Sequence, residues 1–448
     1  MKKQYWYIVL LAFFVATVSF VVIKFKNKQQ EENNTVYNLL PRKGTEPNNA
    51  EWLLAKKNID NLVAKLKANP GDTKSSIALA NAYIRESRIS GNIAYYDKAA
   101  LKTVEHVLAT DPNNYEALML MSLLQLSQHH FADGLATAQT LVKVNANNSF
   151  VYGLLVDANV EMGNYDSALD AADKMVTSRP DLRSYSRIAY LREIYGDYPG
   201  AIDAMKMAVE AGMTAEESTE WCRTQLGRLY ESTGDKVNAS LQYKLSLAAR
   251  PGYAYAFAGL GRIAASEKKY DSAVYYFEQA ANVVSDLGIK EGLAIAYKNA
   301  GKKDKATELN EAVIEEMNKN AKASADDPTI GHYSDKELAY AYLQNNDYDK
   351  ALEHALAEYN RRPKNIDVNE TMAWVYYKRN ELTKALPYLD AAMATHSKNP
   401  LLLCTAGLVY AKTGNPEKAK LMLEAVLKHD PVMPEDIKTE SVQALQKL

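Results

Sequence analysis

The chain has 448 residues, 47% hydrophobic and 24% charged, the balance of a folded protein with room for more than one packed unit. Its 53 Lys and Arg stand against 55 Asp and Glu, a formal charge of −2 without basic blocks, which argues against nucleic acid as a partner because phosphate binding needs clustered cations. Cys222 and Cys404 form no CxxC or metal-ligand spacing, so no metal or cofactor site is expected from them and the redox compartment stays open.

After a short tail (1–4), residues 5–23 read YWYIVLLAFFVATVSFVVI, 19 residues without a charge. At about 1.5 Å per residue such a helix nearly spans a hydrocarbon layer of about 30 Å. Tyr5, Trp6 and Tyr7 sit where an interfacial aromatic belt belongs, and Lys2, Lys3, Lys24, Lys26 and Lys28 flank the run. No small-x-small cleavage site follows it, so a retained single-pass signal-anchor in the lipid bilayer is expected. The Lys-Lys tail favours a cytoplasmic N-terminus with the body on the exported, periplasmic side. Residues 24–50 are polar and contain Pro41, Gly44 and Pro47, the composition of a flexible linker.

From Glu51 the apolar period becomes helical and stays so to the end. Residues 51–72 read as an N-terminal capping helix. Beyond them a small residue recurs in register: Ala100, Gly134, Ala168, Ala201, Ala239, Ala273, Ala306, Ala351, Ala385 and Ala419, at steps of 34, 34, 33, 38, 34, 33, 45, 34 and 34. Tyr83, Tyr230, Tyr297, Tyr342, Tyr376 and Tyr410 recur upstream of it, and Pro112, Pro180, Pro251, Pro363 and Pro431 recur at unit ends. The clearest copy is 400–431, two amphipathic helices parted by Gly414-Asn415-Pro416; neither helix buries its apolar stripe without neighbours.

Phe257, Leu260, Gly261, Ala273, Phe277 and Ala280 in one unit, and Leu226, Gly227, Tyr230, Ala239, Tyr243 and Pro251 in another, carry the pattern of the family that the chain resembles, the tetratricopeptide repeat proteins. The resemblance covers about ten units and implies an all-α superhelix: arrays at 73–322 and 332–433, a loop or hinge at 323–331 around Asp326 and Asp327, and a C-terminal capping helix at 434–448. Two departures stand out. About eight extra residues lie between Tyr83 and Ala100, and the 45-residue step makes the second helix of its unit run on through NEAVIEEMNKNAKA.

No phosphate loop, nucleophile elbow, HExxH or EF-hand loop is present, so no catalysis and no small-molecule substrate are expected. His129-His130 are adjacent, point apart on a helix or turn, and read as solvated. The resemblance implies a concave groove lined by the first helix of each unit. On that register Trp221 and Tyr255 form one ladder, Arg228 and Arg262 another, with Arg187 and Tyr190 beside them; Tyr333, Tyr340, Trp374 and Tyr377 form a second aromatic group further on. Such a strip suits an extended peptide bearing acidic side chains or a terminal carboxylate. The competing reading is that the arginines pair with nearby acids and the aromatics only pack. Lys74 and Asn81 fit the carboxylate clamp of some relatives, but Met119 and Leu123 do not. The expected function is a membrane-anchored scaffold binding protein partners, by analogy in bacterial envelope assembly, secretion or maturation, or else an adaptor of a separate catalytic chain.

Overall fold

From Ala50 onward the chain alternates helix, turn and helix. The computed structural model describes residues 6, 13–14, 16–20, 24, 37–44 and 49–448 apart from 327–332, with side chains of 323–326 left aside. Most of the anchor expected at 5–23 and most of the linker therefore lie outside the described residues, as does the loop at 327–332. Among the described residues, no helix is long and apolar enough to cross a membrane.

Twenty-two helices follow one another from Ala50. A leading helix α1 (Ala50–Ala68) precedes ten hairpins: α2 (Thr73–Ser90) with α3 (Ile93–Thr110), α4 (Tyr115–Ser127) with α5 (Phe131–Val144), α6 (Ser149–Glu161) with α7 (Tyr165–Ser178), α8 (Leu182–Ile194) with α9 (Tyr198–Glu210), α10 (Glu217–Ser232) with α11 (Lys236–Ala249), α12 (Ala254–Ser266) with α13 (Tyr270–Ala281), α14 (Leu287–Asn299) with α15 (Lys303–Asp326), α16 (Asp335–Gln344) with α17 (Tyr348–Arg361), α18 (Ile366–Lys378) with α19 (Leu382–Ala392), and α20 (Pro400–Lys412) with α21 (Pro416–Leu427). A final helix α22 (Glu435–Leu445) covers the end, where Tyr377 donates to Glu440 at 2.6 Å and Lys378 reaches it at 3.0 Å.

Small residues set the packing. Tyr243 on α11 is fully buried in a notch between Gly227 of its own hairpin and Gly259 of the next, and a Cβ on either glycine would collide with its ring. Burying such a side chain is worth roughly 1.5–3 kcal/mol, and the pairing of Gly261 and Gly292 around Phe277 repeats the device one unit on. Four of the second helices are started by an Asn or Asp cap that accepts a backbone N–H of the first turn, Asp197, Asp235, Asp347 and Asn415, whereas His130, Lys269 and Glu381 stand at that place in others.

The coil closes on itself. The turn inside the third hairpin meets the turn that joins the eighth to the ninth: Asn365 Nδ2 donates to the Val160 and Glu161 carbonyls at 3.2 and 3.0 Å, Ile366 N–H donates to the Tyr165 hydroxyl at 2.9 Å, and Arg362 pairs with Glu161. One unit further, Thr395 donates to the Ile194 carbonyl at 2.9 Å; one further again, Val432 N–H donates to the Glu231 carbonyl at 3.0 Å and Lys236 pairs with Asp430 at 2.7 Å. In the other direction Tyr333 N–H donates to the Gln128 carbonyl at 3.2 Å, and Gly91 lies against Val284 and Ser285. Each internal turn thus meets the joining turn about five units later, and the array makes stacked superhelical turns held along a continuous seam.

The extra eight residues near the start lengthen both helices of the first hairpin to 18 residues, against 13 and 14 in the next. The added turn of α2 carries Arg85 and Arg88 to Glu216 at 3.3 Å and Glu217 at 3.4 Å. Part of the expected linker is seated there too. Tyr83 donates to the Tyr37 carbonyl at 2.6 Å, Leu40 N–H donates to Tyr96 at 2.8 Å, and Arg42 bridges Glu51 and Glu86 at 2.7 and 2.6 Å. Over 37–44 the chain is therefore docked rather than free, because Tyr37, Leu39 and Leu40 supply an apolar patch that composition alone hid among polar neighbours. Helix α15 continues for 24 residues to Asp326, so the first residues of the expected hinge are helical.

Candidate partner-binding cavity

Residues on α8 spaced three or four apart share one face, and Arg183, Arg187, Tyr190 and Glu193 turn that face inward. Trp221, Gln225 and Arg228 do the same from α10. Because the seam folds the later units over the earlier ones, Asp367 and Glu370 of α18 and Leu402 of α20 close the opposite side. The cavity, partly open to solvent, measures about 1190 Å³, large enough for several residues of an extended chain.

Most of its arginines are already satisfied. Arg187 forks onto Asp157 at 2.8 and 2.5 Å and also donates to the Gly153 carbonyl at 3.2 Å. Burial works against the Arg187 charge, but Asp157 outweighs it and holds the guanidinium above its ordinary pKa. Arg179 pairs with Asp181 at 3.0 Å and Arg88 with Glu217 at 3.4 Å. Arg228 is exposed to the cavity and, among the described residues, makes no hydrogen bond or ion pair.

The carboxylates divide differently. Asp367 lies 3.6 Å from Lys336 and Glu161 is held by Arg362. Glu193 has no direct cationic partner among the described residues; burial raises its pKa while Arg228, further off, pulls it back. Burial, reinforced by Asp367, pushes Glu370 up to about 8, opposed by the Lys336 charge and, less, by a hydrogen bond with Thr405. Tyr190 lines the cavity with 40% of its surface open, and its phenol is held well above the ordinary value by burial. Among the described residues the site thus offers two arginines without an acid partner, Arg228 and Arg183, the latter lying over the Phe150 ring at 5.6 Å, together with two acids without an ion-pair partner and two aromatic surfaces.

Of the residues read from sequence, Arg187, Tyr190, Trp221 and Arg228 come together here. Arg262 does not join them, because Glu231 takes it at 2.9 and 3.1 Å and the Tyr243 hydroxyl accepts from it at 3.2 Å. Tyr255 stacks edge-on against Tyr253 and reaches Asp286 at 3.5 Å. Tyr333 stacks on buried His130 with Arg361 over its ring, within the seam, and half-buried His129 meets the Tyr333 carbonyl at 2.8 Å, so the pair is packed rather than solvated. Tyr340 accepts from Thr371 at 3.4 Å. Trp374 and Tyr377 are 7% and 2% exposed, stacked on each other under Lys378. Glu193, Asp367 and Glu370 are among the cavity residues that the groove register missed; Asp367 lies in the first turn of α18, where an acid also reads as an ordinary complement to a helix N-terminus, and Glu370 follows one turn on.

Two family models match the chain, both described as tetratricopeptide repeat, over residues 336–400 and 402–432. No curated protein matches the sequence. Among solved structures the chain is similar to yeast Tom70, at 13% identity over 89% of this chain and 92% of that one with a TM-score of 0.35. It is similar to a chain of the APC/C hetero-tetramer Cut9-Hcn1 at 16% identity over 96% and 82%, TM-score 0.42. It is also similar to a thermophilic tetratricopeptide repeat protein of Thermus thermophilus at 21% identity over 42% and 91%, TM-score 0.33. With overall superposition this low, none of them informs the site.

Proposed function

We propose that this tetratricopeptide repeat protein is a membrane-anchored scaffold that holds an extended segment of a partner protein in the cavity between its superhelical turns. The observation that carries the reading is the cavity itself: about 1190 Å³, walled by the inward faces of α8 and α10, with Arg228, Glu193 and Glu370 lacking ion-pair partners among the described residues. Arg228 suits an acidic group of the bound segment and Glu193 a basic one, so the segment carries both signs; Glu370, held up to about 8, is protonated at neutral pH and offers an O–H donor instead. Tyr190 and Trp221 supply the apolar contact that the charges need to act in a partly dry site. The apolar run at 5–23 supports anchoring, which raises the effective concentration of a partner at the membrane. Exported orientation and a role in envelope assembly, secretion or maturation are part of this reading; an adaptor for a separate catalytic chain uses the same cavity.

The test is site-specific photocrosslinking in membranes of the native host, with the probe at Trp221 or Gln225 inside the cavity and at Val237 on the outer surface, where the side chain is 80% exposed. The expected result is the same discrete protein adduct from both cavity positions, absent from position 237 and reduced at least tenfold by Arg228→Glu. Equal labelling inside and outside would refute the cavity as the binding site. Removal of residues 1–36 is expected to release the protein from alkali-washed membranes.

A further inference from the structure

Two kinds of contact hold the superhelix, and they differ in chemistry. Contacts between neighbouring units along the coil are mainly apolar, organised around buried side chains such as Tyr243, Phe277, Met372 and Leu389, with ion pairs such as Arg187–Asp157 and Arg262–Glu231 beside them. Contacts across the seam join units five apart, and they are largely polar: backbone amides and side-chain donors onto carbonyls, the Arg362, Lys236 and Lys268 ion pairs, and few apolar plugs, chiefly Ile366 and Val432. Breaking the seam therefore leaves every nearest-neighbour core intact and exchanges protein hydrogen bonds for water at small net cost. A small change of rotation per unit, summed over five units, is enough to part the turns.

We infer that the seam is a clasp: the superhelix opens along it to admit a partner segment into the cavity and recloses around the bound chain. The inference rests on the cavity as binding site for its purpose, but not for its test. The wall that moves is the one carrying Asp367, Glu370 and Leu402, so opening removes the far side of the cavity and widens its entrance. The seam ion pairs include exposed partners, since Asp430 and Lys268 are 56% and 67% open at the side chain, so opening is favoured by salt.

The experiment uses the full chain. Amide hydrogen exchange is measured at Ile366 and Val432, whose N–H groups donate across the seam, and at interior positions of α18 and α20. The expected result is a shared seam rate at least tenfold above the interior rate, rising with salt. A Lys236→Cys, Asp430→Cys variant is then bridged by a short, cleavable bis-maleimide; Cys222 and Cys404 are fully buried and stay unmodified. Bridging is expected to slow both seam amides at least tenfold and to abolish the cavity photoadduct, and cleavage to restore both. Seam amides as protected as the interior, or rates unmoved by the bridge, overturn the clasp. A slowed seam with an undiminished adduct overturns its gating role. If the unbridged protein gives no cavity adduct, the binding reading has failed, and the exchange rates alone then decide whether the seam opens.

Discussion

Gly234 and Gly414 occupy the same place in their hairpins with nearly the same backbone, φ 80° and 78°, yet they are glycines for different reasons. A Cβ at Gly414 meets nothing within 4 Å, so glycine there serves only the left-handed turn. At Gly234 a Cβ would run into the His429 carbonyl, at Gly163 into the Lys364 carbonyl, and at Gly196 it would lie 2.9 Å from the His396 oxygen. Those three turns lie in the seam. Where hairpins face solvent instead, Asn346 and Asn380 take the left-handed position at φ 58° and 59°, since an amide side chain tolerates it and nothing crowds it. The comparison teaches that one turn motif does two jobs: at Gly163, Gly196 and Gly234 the close approach between superhelical turns excludes a side chain, while the seam turn at His129, φ 63°, uses its side chain for the contact instead.

The largest effect is expected from the seam's buried charge. Arg362 is 5% exposed and holds both Glu161 and Glu358; Arg362→Ala leaves two acids without their cation and is expected to cost about 3–5 kcal/mol, read as a lower denaturation midpoint together with accelerated exchange at Ile366. Arg379→Ala, removing a pair whose acid is 91% exposed, is expected to change stability by less than about 1 kcal/mol. Equal losses at the two positions would break the contrast between seam and outer surface.

The glycines sharpen it. Gly234→Ala combines left-handed strain of about 1–2 kcal/mol with forced separation from His429, and is expected to speed exchange at Val432 at least tenfold. Gly414→Ala is expected to show the strain alone and leave Val432 exchange unchanged.

A further effect is on pH. Glu370 is held up to about 8 from an ordinary value of 4.5, so the folded state binds its proton more tightly than the unfolded one. The stability it contributes is complete below about 4.5 and is lost as pH rises through about 8. Glu370→Gln is expected to flatten the stability profile across that window, and to stabilise relative to the parent above it. A profile of unchanged slope contradicts the burial of this carboxyl.

Much of the architecture was legible in the residues. The 34-residue register of small side chains gave ten hairpins, because hairpin packing is a local matter of Gly227, Gly259 and the ring between them. The inward ladder was legible in part: Arg187, Tyr190, Trp221 and Arg228 meet in one cavity. Arg262 escaped because its partner, Glu231, lies 31 residues away on the preceding unit, a pairing that a 34-residue ladder does not anticipate. The closure itself was not legible, since it is a sum of small rotations over five units rather than a property of any one. Its trace was nevertheless present at Gly163, Gly196 and Gly234, where the alternatives used elsewhere, Asn346 and Asn380, do not appear.

The account stands on the stacking of the superhelical turns, and Lys236 with Asp430, 2.7 Å apart across the seam and 194 residues apart in the chain, tests it most directly. The Lys236→Cys, Asp430→Cys protein, treated at low concentration with a short bis-maleimide, is expected to give a near-complete intramolecular bridge, seen as one compact species with both cysteines in a single linked peptide pair. A protein in which each cysteine reacts singly, or bridges only to a second molecule, would contradict the closed superhelix and with it the cavity between its turns.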